Sequence, residues 1–171
     1  DKADTKFALD NRVDWIALSF VRREKDILDL RKLVDAHPNK AHIIAKIEKP
    51  EALEEIDEII KAADGIMVAR GDLGVEVDFH KVPLIQKRII KQCTSDSKPV
   101  IVATQMMESM ISNQTPTRAE ANDVANAVLD GVDAVMLSGE TSIGRYTGQI
   151  ISNRQKIIDS TENEKYIYYN R

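Results

Sequence analysis

The chain has 171 residues, 43% apolar and 30% charged, with a net charge of −4 at pH 7. That is enough for one domain with a sizeable core, and mixed charges with no basic face or tail argue against nucleic acid as a partner. The single cysteine, Cys93, excludes an internal disulfide framework and suits a reducing compartment, no apolar run nears the roughly 18 residues of a membrane helix, and no signal peptide is visible.

Along the chain, short apolar runs alternate with amphipathic stretches. VDWIALSF from Val13 precedes EKDILDLRKLVD, where Ile27, Leu30, Leu33 and Val34 form a helical stripe. HIIAKIE from His42 precedes PEALEEIDEIIKAAD, striped by Leu53, Ile56, Ile60 and Ala63, with Pro50 placed to open the helix. GIMVAR from Gly65 runs into RGDLG and then KVPLIQKRIIKQC, with Val82, Ile85, Ile89 and Cys93 on one face. PVIVATQ from Pro99 is followed by TRAE, a capping box. In it Thr117 accepts from the amide of Glu120, and Glu120 reaches back to the amide of Thr117. That helix stops at Asp130-Gly131, where glycine suits a left-handed cap. VDAVMLS from Val132 and a helical pattern over about 149–159 complete the series.

Each apolar run is too short for a comfortable helix and nearly unbroken, as strands buried on both faces are. The alternation predicts an α/β fold of about five βα units with parallel strands. Both ends of the chain read as cuts in something longer.

The polar residues gather at the carboxyl ends of the runs: Ser19, Phe20 and Arg22; Lys46 and Glu48; Arg70, Gly71 and Asp72; Thr104 and Gln105; Ser138, Gly139 and Glu140. The amino ends carry no matching set. Active sites of α/β barrels and open α/β sheets sit at that end of the strands. Lys46 and Glu48 share a strand face, because side chains alternate. In RGDLG, Gly71 permits a turn and close approach by a ligand, and amides around Gly71 and Asp72 could hold a carboxylate or phosphate oxygen. Glu48 and Asp72 are hard oxygen donors of the kind Mg²⁺ takes alongside waters and ligand oxygens. Met106, Met107 and Met110 read as packing, His37, His42 and His80 as structural or solvated, and Cys93 as an apolar helix residue.

Together, VDWIALSFVR, IIAKIEKPEALEEIDEII, ADGIMVARGDLGVEV, KPVIVATQMMESMI and PTRAEANDVANAVLDGVDAVMLSGETSIGRY resemble pyruvate kinase over nearly the whole chain. The resemblance implies a partial TIM (β/α)8 barrel. Residues 1–171 would be the C-terminal part of the barrel domain, strands four to eight, a single incomplete domain without the family's lid and C-terminal domains. It implies Mg²⁺-dependent phosphoryl transfer from phosphoenolpyruvate to ADP, giving pyruvate and ATP in cytoplasmic glycolysis. Mn²⁺ could replace Mg²⁺, and K⁺ would bind through ligands outside this chain. A homo-oligomer, usually a homotetramer in the family, is expected, with no nucleic acid and no membrane as partner.

By motif, Lys46 resembles the family's catalytic lysine, and Glu48 and Asp72 its metal ligands. Gly71 and Asp72 resemble the loop that binds the substrate carboxylate. Thr104 resembles the threonine on the same substrate, with a water relay from Thr104 as the route of enolate protonation. Arg70 and Ser138 resemble substrate-binding neighbours, and with Glu140 they form the supporting shell. One departure is Thr147-Gly148, where the family usually has a proline. The alternative reading is a catalytically inactive barrel fragment acting as an interaction or structural module, in which Lys46, Glu48 and Asp72 are relics.

Overall fold

The structure, a computed structural model, describes residues 2–169 and divides into two compact units, Asp1–Val100 and Ile101–Arg171. In the first unit the order is α1 (Lys2–Asp10), β1 (Trp15–Leu18), α2 (Glu24–Ala36), β2 (His42–Ile47), α3 (Glu51–Glu54), α4 (Ile56–Ala62), β3 (Gly65–Ala69), α5 (Arg70–Glu76) and α6 (Val82–Ser95). β1 pairs parallel with β2 through Trp15↔His42 to Leu18↔Ala45, and β2 pairs parallel with β3 through Ile44↔Gly65 to Ile47↔Val68. All five residues of β3 are buried, which is why GIMVA shows no polar alternation. Ile27, Ile43, Ile47, Ile59, Ile60, Ile66, Ile89 and Ile90 fill the space between strands and helices.

At the amino ends of the strands, Asp64 ties three elements together. One carboxylate oxygen accepts from the Ile43 amide at 2.7 Å and lies 2.7 Å from the Arg31 guanidinium, which also donates to the Ala62 carbonyl at 3.2 Å. Burial pushes the Asp64 carboxyl up, but the Ile43 amide and the Arg31 charge outweigh it and hold the group below its ordinary value.

Three features of this unit depart from the sequence expectation. The helix expected over 50–64 breaks at Glu55 (φ −113°, ψ 28°) into α3 and α4. The Glu55 carboxylate there accepts from the Glu24 amide at 3.2 Å, one of the donors α2 cannot satisfy itself. RGDLG is the first part of α5, not a turn. α1 precedes the first strand, where no helix was expected.

The second unit, from Ile101, takes in the rest of β4 (Val100–Ala103), a 3-10 turn (Glu108–Ile111), α7 (Arg118–Asp130), β5 (Ala134–Met136), α8 (Gly139–Ser142) and α9 (Thr147–Tyr169). β4 and β5 are parallel in the register Ile101↔Ala134 to Ala103↔Met136. The capping box of α7 forms as expected: the Glu120 amide donates to Thr117 Oγ1 at 3.2 Å, and the Thr117 amide donates to Glu120 Oε2 at 2.8 Å. Gly131 ends the helix at φ 95°. Val102, Met106, Met107, Met110, Val124, Ala127 and Ile150 are fully buried, so the methionines are core. α9 begins at Thr147, anchored by buried Ile150 and by Asn153 Nδ2 donating to the Gln114 carbonyl at 3.3 Å. No helix among the described residues is long and apolar enough to cross a membrane.

Candidate active site

Lys46 and Glu48 leave β2 on one face, as strand alternation requires. Glu48 is fully buried. Its Oε2 accepts from the Phe20 amide at 2.7 Å. Its Oε1 lies 2.7 Å from Lys46 Nζ, yet off the line of a hydrogen bond, and accepts none. Lys46 Nζ in turn donates to Ser19 Oγ at 3.0 Å. Phe20 holds its amide toward Glu48 from a left-handed backbone, φ 55°, uncommon for a bulky residue. A carboxylate removed from water is costly unless its oxygens are satisfied. Here one oxygen keeps only an ammonium beside it.

The register Ile47↔Val68 sets Glu48 level with Ala69, the last residue of β3. Asp72 follows three residues later, in the first turn of α5, with its carboxylate exposed. Leu73, fully buried, pins that short helix to the core. Gly71 does not use a left-handed conformation and lies in the first turn of α5. Arg70, half-buried, reaches the buried Gln86 at 3.5 Å.

This donor set suits a hard divalent cation. A buried carboxylate oxygen accepts no hydrogen bond, and a second, exposed carboxylate follows the adjacent strand. No cluster of three or more His, Cys, Asp or Glu occurs among the described residues. The protein would therefore supply two oxygens and leave the rest to water and substrate, which is the way Mg²⁺ prefers to bind.

In the second unit, Thr104 (φ 72°) and Gln105 (φ 52°) follow β4 in left-handed conformations, and Thr104 Oγ1 donates to the Ala103 carbonyl at 2.6 Å. A β-branched residue at positive φ is an outlier of the kind that clusters at functional sites. The buried Glu140 spans the loops after β4 and β5, its Oε1 accepting from the Met107 amide at 3.2 Å and its Oε2 from the Ser138 amide at 2.7 Å. Thr104, Ser138 and Glu140 line one recess of about 150 Å³. Sequence reasoning therefore found Lys46, Glu48, Asp72, Thr104 and Ser138 at strand ends. It noted Ser19 and Phe20 without assigning them work, and it missed Lys49 and Glu76, which form an ion pair at 2.5 Å with no signal in either segment.

A family model described as the pyruvate kinase barrel domain matches residues 1–151, a range that contains all of these residues. The chain belongs to the pyruvate kinase family. Its five βα units with parallel strands are part of that family's TIM-type barrel. Relatives named pyruvate kinase include one from Geobacillus stearothermophilus, 55% identical over 163 residues, covering 95% of this chain and 28% of the relative. One from Agrobacterium vitis is 52% identical over 166 residues, covering 97% of this chain and 34% of the relative. One from Mycobacterium intracellulare is 54% identical over 162 residues, with coverage of 95% and 34%. The chain thus spans about a third of the length of these curated pyruvate kinases.

Proposed function

We propose that the chain carries the metal and enolate chemistry of a pyruvate kinase, which transfers a phosphoryl group from phosphoenolpyruvate to ADP and releases pyruvate and ATP. The observation that carries this reading is the buried Glu48 carboxylate, with one oxygen free of hydrogen bonds, beside Lys46 Nζ at the carboxyl end of β2. Phosphoryl transfer needs little covalent chemistry from the protein and depends on positioning and on charge placed where it develops.

Glu48 and Asp72 would hold Mg²⁺ or Mn²⁺, which would supply Lewis-acid stabilisation of the negative charge that develops on the substrate. Lys46, oriented by Ser19 and Glu48, places a second positive charge against the same developing anion. Arg70, Gly71, Asp72 and Ser138 bind the substrate, Gly71 and Asp72 at its carboxylate. Thr104, with a water, delivers the proton that turns enolpyruvate into pyruvate. Residues 1–171 serve as the C-terminal part of a barrel domain, with K⁺ held by residues outside the chain. The working form is a cytoplasmic homo-oligomer acting in glycolysis.

The test is exchange of pyruvate methyl protons into deuterated water, followed by NMR with Mg²⁺ and phosphate present. It reads enolate formation without nucleotide. Lys46→Met is expected to slow exchange at least ~100-fold, the usual scale for a positioned catalytic group. A folded wild-type chain that shows no Mg²⁺-dependent exchange, or a Lys46→Met chain that exchanges at the wild-type rate, overturns the reading. The first of these results favours an interaction or structural module instead.

A further inference from the structure

The metal reading requires Glu48 and Asp72 to keep a fixed separation, although they sit on different elements. Asp72 rides on α5, a seven-residue helix with two glycines and no side-chain cap at Ala69. Such a helix has little stability of its own. Its position relative to β2 must come from tertiary ties.

One tie reaches directly to the residue after Glu48. Lys49 Nζ lies 2.5 Å from Glu76 Oε1, at the last residue of α5. The same ammonium stands 5.6 Å from the centre of the Phe20 ring, a cation–π contact. Phe20 is the residue whose amide grips Glu48 Oε2. Lys49 therefore joins three segments: the loop after β1 that holds Glu48, the loop after β2 that contains it, and the helix that carries Asp72. The Lys49 side chain is 19% exposed and that of Glu76 37%, so solvent screens the pair from the Glu76 side and its hold on α5 leans also on the Phe20 contact.

We infer that Lys49, paired with Glu76 and packed on Phe20, is a positioning residue that sets the spacing of Glu48 and Asp72 and so tunes divalent-cation affinity. This rests on the assignment of Glu48 and Asp72 as metal ligands. Partners behind metal ligands are worth about 10–100-fold in affinity when removed.

The experiment titrates Mn²⁺ into the full chain, read by electron paramagnetic resonance of free Mn²⁺, with amide deuterium exchange of residues 70–76 measured without metal. Lys49→Met keeps the apolar stem and removes the charge. It is expected to weaken Mn²⁺ binding about tenfold and to speed exchange across α5. Glu76→Gln is expected to do the same, the double variant to be no worse than either single one, and Lys49→Arg to restore both readouts. Glu48→Gln separates the two ideas. If it abolishes Mn²⁺ binding while Lys49→Met, still folded, binds as wild type does, the positioning role is overturned and the ligand assignment stands. If wild type binds no Mn²⁺, or binds it equally after Glu48→Gln, the ligand assignment fails and the positioning role falls with it.

Discussion

Glu120 offers a sharp test of how the second unit is held together. Four donors converge on its carboxylate: the Ser109 amide at 2.7 Å, Ser109 Oγ at 2.5 Å, the Thr117 amide at 2.8 Å and Thr117 Oγ1 at 2.9 Å. They fasten the 3-10 turn after β4 to the start of α7. Glu120→Gln keeps the size and replaces one oxygen by NH₂. The hydroxyls can rotate and become acceptors, but the two amides cannot. The Ser109 amide faces Oε1 and the Thr117 amide faces Oε2. Whichever way the new amide is flipped, one backbone N–H meets a donor. Losing one hydrogen bond to a charged group costs about 1.5–3 kcal/mol, so with partial solvent access a loss of about 2 kcal/mol is expected.

The effect must also depend on pH. Burial alone would raise the Glu120 carboxyl, but the Ser109 and Thr117 donors outweigh it and hold the group below its ordinary 4.5. A depressed carboxyl gives its stabilisation above the unfolded value and loses it as pH falls through the folded one. Urea unfolding followed by far-UV circular dichroism should therefore show the full deficit of Glu120→Gln at pH 7 and a shrinking one below about pH 4. Equal stability of the two proteins at pH 7, or the same deficit at both pH values, would refute the reasoning.

Asp64→Asn should lower the urea midpoint by an amount equivalent to about 2 kcal/mol at pH 7, because the Ile43 amide and Arg31 lose a charged partner. With the folded Asp64 carboxyl below its ordinary 3.8, the gap should close as pH falls through that depressed value, and a gap that stays constant down to pH 2 would count against it. Thr104→Gly should relieve the left-handed strain at φ 72° and raise thermal stability by about 1 kcal/mol while slowing pyruvate proton exchange. A variant that loses both stability and exchange would mean that Thr104 is held by its contacts more strongly than its backbone resists.

The strands and most helices could be read from the chain because the signal for them is local. An unbroken apolar run such as GIMVA carries its own evidence of burial on both faces, and β3 is buried throughout. TRAE and Gly131 announce both ends of α7 through neighbours a few residues apart, and both caps form. The break at Glu55 could not be read in this way. Nothing within PEALEEIDEII disfavours a continuous helix. The carboxylate of Glu55 serves the Glu24 amide, 31 residues earlier in sequence, a partner that no local pattern announces. α5 fails for a related reason. Two glycines in RGDLG read as a turn on propensity alone, whereas burial of Leu73 and the tie of Glu76 to Lys49 make helix the better state.

The site shows the same division between residue identity and geometry. A lysine, three carboxylates, a threonine and a serine at the ends of apolar strands are conspicuous, because apolar strands should not finish in charges without cause. That is why Lys46, Glu48, Asp72, Thr104, Ser138 and Glu140 stood out as a set at successive strand ends, although most of them taken singly read as structural pairs, core hydroxyls or turns. Much of what holds them is set across distances that no local pattern encodes. Glu48 depends on an amide 28 residues away, Lys49 on a carboxylate 27 residues away, and the loop after β4 on a carboxylate 33 residues ahead. In each case the partner is a backbone amide or a common charged residue, which looks in sequence like ordinary surface or loop. Parallel βα units make this unavoidable. Each strand end meets its neighbour only after a whole helix has intervened, so the contacts of Glu48 with Phe20, Lys49 with Glu76 and Met107 with Glu140 lie a repeat apart, while those of Lys46 with Glu48 and Ser138 with Glu140 stay local. The sequence of a barrel can therefore name the groups at its mouth long before it can say which of them are held still, and substitutions at the holding residues, Lys49 and Glu76 first, are where that distinction becomes measurable.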